Sequence, residues 1–269
     1  MMSVLKEIFR DHVRYRRQIL KLAKSDLIKT YKGAALGWSW AVIRPALTIA
    51  MYYFAFSVGL RVGRPVAGYP YYLYLIAGMM PWFYISGTFV GGAASVHKYS
   101  YLVTKVRYPV STIPTFVSLS KLATNAIVSL IVLAIFVVAG KGPDLYWLQL
   151  PFYFFLMFAF FTVWSLFAGL VSVVSKDFMH LVNSLNLPLF WLSGILYDVN
   201  SVSNRSLRRL LLLNPITIIA NGYRDSLIYK VWFWEKPTAL CDFGLAFLLM
   251  ALLAMWAYKR LVKTLPDVL

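Results

Sequence analysis

The stretch Thr30-Tyr31-Lys32-Gly33-Ala34-Ala35-Leu36-Gly37-Trp38-Ser39-Trp40, closing on Arg44-Pro45, decides how this chain folds. Before it lies a basic segment with helical periodicity. After it begins the first of several apolar runs long enough to cross a membrane. A cationic helix that lies on a membrane and turns abruptly into a span is a plausible lever, because force applied from the cytoplasm must reach the bundle.

Toward the N-terminus, Leu5, Ile8, Phe9, Val13, Ile19, Leu20, Ala23 and Leu27 recur near the helical period, while Lys6, Arg10, Arg14, Arg17, Lys21 and Lys24 fill the other face. Residues 1–37 therefore read as an amphipathic interfacial helix with its connector. It can anchor to anionic lipid, where each basic residue near the surface adds ~1 kcal/mol, or help form a docking surface for a cytoplasmic partner. Nine Lys or Arg precede residue 38, and no short apolar core stands ahead of a small-residue cleavage site, so the first span is expected to stay as an uncleaved signal-anchor.

Toward the C-terminus, uninterrupted apolar length predicts six spans within 38–269, at about 38–60, 71–95, 111–139, 148–174, 178–198 and 238–258. Composition agrees: 60% hydrophobic, 17% aromatic and 14% charged residues with a mean hydropathy of +0.68 exclude a soluble domain. The net charge of +17 could suggest nucleic acid. The Lys and Arg residues sit mainly between apolar runs, however, without a basic stripe of base-stacking aromatics, so they report orientation instead. Sixteen fall on the side of the N-terminus, with the 96–110 loop, Lys176 and the C-terminal tail. Nine fall opposite, and Arg44 and Lys121 lie inside spans. Both termini are expected in the cytoplasm, despite Arg205, Arg208 and Arg209 outside. The lone Cys241 excludes an internal disulfide and reads as packing.

Residues 199–237 are too interrupted to span, with Leu210 to Leu213, Asn214-Pro215 and then Ile216 to Ala220. They read as a re-entrant or interfacial helical hairpin on the outer side, or else as an outer loop whose Leu face packs on the bundle. On the inner side, 97–108 combines Tyr with Lys and Arg, a composition suited to an interface anchor, and Pro109 and Pro114 would end that helix and admit the next.

Five stretches, YKGAALGWSWAVIRP at 31–45, VGLRVGRPVAGYPYYLYLIAGMMPWFY at 58–84, LVTKVRYPVSTIPT at 102–115, SKDF at 175–178 and NPITIIANGYRDSLIY at 214–229, together resemble the membrane subunits of polysaccharide-exporting ABC-2 transporters over nearly the whole chain. The likeness is strongest to permeases that export wall teichoic acid. It implies an all-α membrane protein of the bacterial cytoplasmic membrane, with an interface helix, a coupling helix at 97–108 and outer re-entrant helices at 199–237. It also implies a homodimer joined to two copies of a separately encoded ATPase that carries the ATP and Mg. The residues facing that ATPase would be His97, Lys98, Tyr99, Tyr101, Lys105, Arg107 and Asp177. The cargo would be a polyprenyl-diphosphate-linked anionic glycopolymer, with O-antigen or capsular polysaccharide as the alternative to teichoic acid.

The residues support that division of labour. There is no G-x-x-x-x-G-K-[ST] phosphate cradle; Gly140-Lys141-Gly142 lacks both the upstream glycine and the hydroxyl residue. His12, His97 and His180 form no H-E-x-x-H, and no mid-span carboxylate relay exists for a proton-driven carrier, so no catalytic or metal site is expected in the chain. A self-sufficient channel or carrier stays open as the reading from a different class.

Arg44 lies about 9 Å into the first span and Lys121 about 15 Å into the third. Charges at that depth usually face the bundle interior or a watery cavity, where they would attract phosphates. Arg44 can alternatively snorkel to the headgroups; Lys121 is too deep to do so easily. Trp38, Trp40, Tyr52, Tyr53, Tyr71, Tyr72, Tyr74, Trp82, Phe83 and Tyr84 are expected mostly as an interfacial belt. The resemblance implies that some aromatics of the first span stack on sugars, with Trp40, Tyr52 and Tyr53 as the candidates. Gly87 and Gly91 match a small-xxx-small packing pattern.

Overall fold

The computed structural model describes residues 2–33, 35–61, 65–262 and 264–265. Ala34, the stretch 62–64 with its Arg64, Lys263 and the last four residues, which entered the sequence reading, lie outside the described residues. Among the described residues all structure is helical apart from one antiparallel bridge between Val66 and Tyr69.

Two helices, α1 (Met2–Arg14) and α2 (Arg16–Tyr31), precede the bundle. The turn into the first span uses Gly33 and Gly37, both in the left-handed region at φ 89° and 47°, which a side chain would resist. A 3-10 turn at Gly37–Ser39 then leads into α3 (Trp40–Tyr53), which a π-turn extends over Phe54–Gly59. There follow α4 (Tyr71–Ala93), the short α5 (Ser95–Lys98) and α6 (Ser100–Thr104), α7 (Ile113–Val138), α8 (Leu150–Val174), α9 (Lys176–Leu192), α10 (Arg205–Leu212), α11 (Pro215–Arg224) and α12 (Pro237–Leu261). Prolines stand in the first turns of α7, α8, α11 and α12, where the missing N–H costs nothing.

Five helical stretches are long and apolar enough to cross a membrane: Gly37–Gly59, Tyr71–Ala93, Val110–Val138, Leu145–Val174 and Pro237–Leu261. The remaining expected span, 178–198, is helical only over Lys176–Leu192. At 17 residues it is about 26 Å long against a hydrocarbon core of about 30 Å. Pro188 lies within it, and Gly194, at φ 60°, turns the chain after it. The chain nonetheless moves from one end of the bundle to the other across it: Leu196 accepts a hydrogen bond from Tyr71 at the far end of α4.

The hairpin α10–α11 occupies the space that short α9 leaves. Asn204 and Asn214 cap the two helices through their side chains, and α11 is buried along Ile216–Ala220 against α4 and α8. α4 is the centre of the fold, with every residue from Leu73 to Trp82 buried. Its aromatics therefore depart from the expected belt. Tyr71, Tyr74, Trp82 and Tyr84 are core residues, because α4 is ringed by α7, α8, α9 and α11 instead of facing lipid. Cys241, expected as packing, is exposed on α12.

Where α4 crosses α8, a Cβ on Gly92 would overlap the Ser165 side chain and stand 3.1 Å from its Cα. Gly92→Ala is expected to cost about 1–3 kcal/mol through overpacking, seen as a lower melting temperature of the detergent-solubilised protein. No change would mean that α4 and α8 separate freely.

Candidate functional site

One end of the bundle gathers α1, α2, α5, α6 and the C-terminal end of α12. Val4, Val96, Val110, Tyr258 and Leu265 share one apolar cluster there, and Ile19, Ala23, Tyr99, Leu102 and Phe116 share a second. The amphipathic face predicted for α1 and α2 is split between two directions. Ile19 and Ala23 pack inward, while Leu5, Phe9, Val13 and Leu20 are exposed. The break at Tyr15 resets the helical phase, so a single periodic stripe serves two surfaces.

The expected coupling helix over 97–108 is instead two short helices followed by a turn. Pro109 disfavours helix immediately before it, and Arg107 takes a left-handed conformation at φ 53°. His97, Lys98, Tyr101, Lys105 and Arg107 are exposed on this segment, and Asp177 is exposed in the first turn of α9. Tyr99 is not part of that surface. It is 4% exposed, and its hydroxyl donates to Asp26 of α2. Lys98 Nζ reaches the same carboxylate oxygen at 2.8 Å. Asp26 is itself 1% exposed. Burial pushes its pKa up, but the hydrogen bonds from Lys98 and Tyr99 outweigh burial and hold the carboxyl below its ordinary value. Burial and the adjacent carboxylate push the Tyr99 phenol up, so it stays a donor. The 97–107 segment is thereby strapped to α2 by one buried anion.

The second place is a cavity of about 290 Å³ between the end of α2, α3, α4 and α7. Trp40, Arg44 and Thr48, spaced four apart on α3, form one wall, and Lys121, Thr124 and Asn125 of α7 form the other. The Arg44 guanidinium lies 5.5 Å from the centre of the Trp40 ring. The Lys121 stem runs along Gly87 and Gly91, where a Cβ on either would be 3.7 Å from it, so this glycine pair serves as a shelf for a lysine within one subunit. Both amide atoms of Asn125 are buried without a hydrogen-bond partner, although the residue lines the cavity. A buried amide left so is costly unless something in the cavity answers it.

Of the five residues placed on the substrate path from sequence, three thus share this cavity. The other two do not. Tyr52 packs on Phe190 with ring centres 5.0 Å apart, and Tyr53 lies farther along α3 beside Tyr72. Their positions on α3 are right for the span but just over one helical turn past Thr48, the last α3 residue of the polar pocket.

The whole-chain comparison fits this arrangement. The family model for the ABC-2 type transporter matches residues 17–228. This chain belongs to the ABC-2 type transporter family. It is a multi-pass membrane protein, and the matched region runs from α2 through α11. The chain is 25% identical over 259 residues to the O-antigen export system permease protein RfbA of Myxococcus xanthus, covering 96% of this chain and 95% of that one. Two proteins of the same description from Klebsiella pneumoniae are 26% and 25% identical, covering 77% and 82% of this chain and 78% and 84% of theirs.

Asp26 and Asn125 have no role in the sequence reading, and Arg224 figures there only as one of the nine cations opposite the N-terminus. Asp26 is the sole acid between Asp11 and Asp144, and Asn125 the sole amide in the third apolar run, one helical turn from Lys121; both signals were present. Arg224 was counted as an outer-side charge, yet it is fully buried.

Proposed function

We propose that this chain is the permease subunit of an ATP-driven exporter that carries a lipid-linked glycan of the O-antigen type across the bacterial cytoplasmic membrane. The observation that carries this reading is the buried Asp26 strap. It fixes an exposed Tyr/Lys/Arg segment to the helix that precedes the first span in the chain, which suits a surface pushed by a separate ATPase. A homodimer accords with α3, of whose apolar stretch 6% is buried against 78% for α4. Leu47, Met51 and Phe54 form an uncovered stripe on it. In this reading both termini lie in the cytoplasm, α9 completes six crossings, and α10–α11 is the outer re-entrant hairpin. The relatives named above are O-antigen systems, and they favour that cargo over the wall teichoic acid suggested by sequence resemblance.

The test is co-purification with the cognate P-loop ATPase. Tyr101→Ala with Arg107→Ala should lose the ATPase while the permease stays folded, and retention of the ATPase would overturn the docking surface. Lys121→Met should keep the assembly but lower export-coupled ATP turnover by about ten- to a hundredfold, the loss of one charged hydrogen bond worth about 1.5–3 kcal/mol. Autonomous glycan flux through the purified chain would overturn the reading in favour of a channel or carrier.

A further inference from the structure

Another cavity of about 290 Å³ lies between the start of α8, the hairpin α10–α11 and the first turns of α12. The C-terminal end of α12 packs with α1, so these first turns mark the opposite end of the bundle. Four charged side chains line the cavity: Arg209 of α10, Asp225 just past α11, Lys236 just before α12 and Asp242 within it. Two of them cancel, because Lys236 Nζ holds both carboxylate oxygens of Asp225, at 2.7 and 2.6 Å. Arg209 and half-buried Asp242 take part in none of the ion pairs among the described residues. The cavity therefore offers one free cation and one free carboxylate.

Its level in a membrane follows from α12. Asp242 and Lys259 bound the uncharged part of that helix and stand about 26 Å apart along it, close to the hydrocarbon thickness of about 30 Å. With Lys259 among the headgroups of one surface, Asp242 sits where headgroups meet acyl chains at the other. A carboxylate without a partner is costly there. Beyond Asp242, Leu245, Leu248, Leu249 and Leu252 form an exposed stripe at helical spacing. On the other wall, Arg209 and Leu212 also border a hollow of about 500 Å³ shared with Arg205 and Arg208. α10 carries these arginines on one face and the exposed Leu207 and Leu210 on the other, the pattern of a helix lying in an interface.

From these observations we infer that the cavity is a headgroup site for a phospholipid bearing a primary amine, of the phosphatidylethanolamine class. Arg209, backed by Arg205 and Arg208, holds the phosphate. Asp242 accepts from the ammonium, and an acyl chain runs down the leucine stripe of α12. Charge selects this occupant. A purely anionic head would satisfy Arg209 but leave Asp242 beside a second anion. A choline head has no N–H to give a carboxylate, whereas a primary ammonium has three. The hydroxyls of a glycan would answer neither formal charge. In the topology proposed above this is the outer leaflet, and the site does not depend on what the permease exports. A lipid held so joins α10 to α12, which ties the hairpin to the last span through the surrounding membrane.

The experiment is photolabelling of the full-length protein in phosphatidylcholine nanodiscs, with phosphatidylethanolamine or phosphatidylglycerol probes that carry a diazirine on the acyl chain. The ethanolamine probe should label α12 and be preferred over the glycerol probe by more than about fivefold. Asp242→Asn should bring the two probes level, whereas Arg209→Gln should lower both by about tenfold, or about 1.4 kcal/mol. A cavity that only packs the hairpin would not separate the two variants in this way. Thr238→Trp, which fills the cavity without changing charge, should suppress the ethanolamine probe. Unlabelled phosphatidylethanolamine should compete, and free phosphoethanolamine at the same concentration should not, since it lacks the chain. Any of four outcomes overturns the site. Equal labelling by both probes in the unaltered protein would make it an anionic-lipid patch, and labelling indifferent to Asp242 would remove the ammonium contact. Full competition by free phosphoethanolamine would make it a site for a soluble ligand. A disulfide between the exposed Cys241 residues of two copies would put a second copy over the leucine stripe.

Discussion

Arg224→Met is expected to lower the melting temperature of the solubilised protein by about 10 °C and to raise hydrogen exchange across 194–229. The guanidinium is fully buried at the junction of α4, α9 and α11. It donates from Nη1 to the Gly194 carbonyl at 2.6 Å and from Nη2 to the Ile195 carbonyl, and it sits 3.9 Å from the centre of the Tyr74 ring. Methionine would orphan both carbonyls, at about 1–3 kcal/mol each, and forfeit a desolvated cation–π contact worth about 2. Against this stands the cost of burying a charge without a carboxylate on it, which methionine relieves. Carbonyls that end α9 have no other donor to turn to, so the loss should win by about 3–4 kcal/mol, and at about 2–4 °C per kcal/mol for a chain of this size that gives the stated shift. Gly78→Ala provides the internal control. A Cβ there would run into the guanidinium and stand 2.8 Å from the Ile195 carbonyl. Each change breaks the same contact, so the double variant should be little worse than either single one. Additive losses, or an unmoved melting temperature in Arg224→Met, would reduce the arginine to filler.

The same residue illustrates where sequence reading stops. Span positions were legible because apolar length is a one-dimensional property: the first, second, third, fourth and last expected runs coincide with helices to within a few residues. The shortness of α9 was not, since Leu192 to Leu196 is as apolar as the helix before it and only the turn at Gly194 separates them. Arg224 was read by its charge and by its place between apolar runs, which assigns a side of the membrane. What meets it there is a pair of backbone carbonyls from residues about thirty positions earlier, and no local pattern encodes that meeting. Lys121 and Arg44 were legible as oddities, each a cation within a span. Their sharing one cavity depends on the packing of α3 against α7. The Tyr/Lys/Arg composition of 97–107 was legible too, but composition gives no facing. Tyr99 and Tyr101 are two residues apart, one turned to Asp26 and the other to solvent.

That facing leads to the other large expected effect. Asp26→Ala should reduce export by more than about tenfold while leaving the amount of assembled protein near normal. The carboxylate is the acceptor for a buried Tyr99 hydroxyl and for Lys98, and a hydrogen bond to a charged group contributes about 1.5–3 kcal/mol. The Lys98 side chain is 56% exposed, so its ion pair is screened and most of the strap's strength lies with Tyr99. Tyr99→Phe should therefore approach the Asp26→Ala phenotype, and Lys98→Met should be mild. Asp26→Asn keeps an acceptor oxygen without the charge and should fall between. The pH dependence follows in sign. A carboxyl held below its ordinary value contributes stability that is fully present above the unfolded pKa near about 3.9 and is lost as pH falls through the lower folded value. The strap should thus be unchanged from neutrality down to about pH 5, and open only in stronger acid. Hydrogen exchange over 95–107 measures it directly: protection should drop in Asp26→Ala at neutral pH, and in the unaltered protein only below the ordinary carboxylate range. If exchange there is the same with and without Asp26, the segment is held by the apolar cluster that Tyr99 and Leu102 share with Ile19, Ala23 and Phe116, and the carboxylate adds nothing to its link with α2.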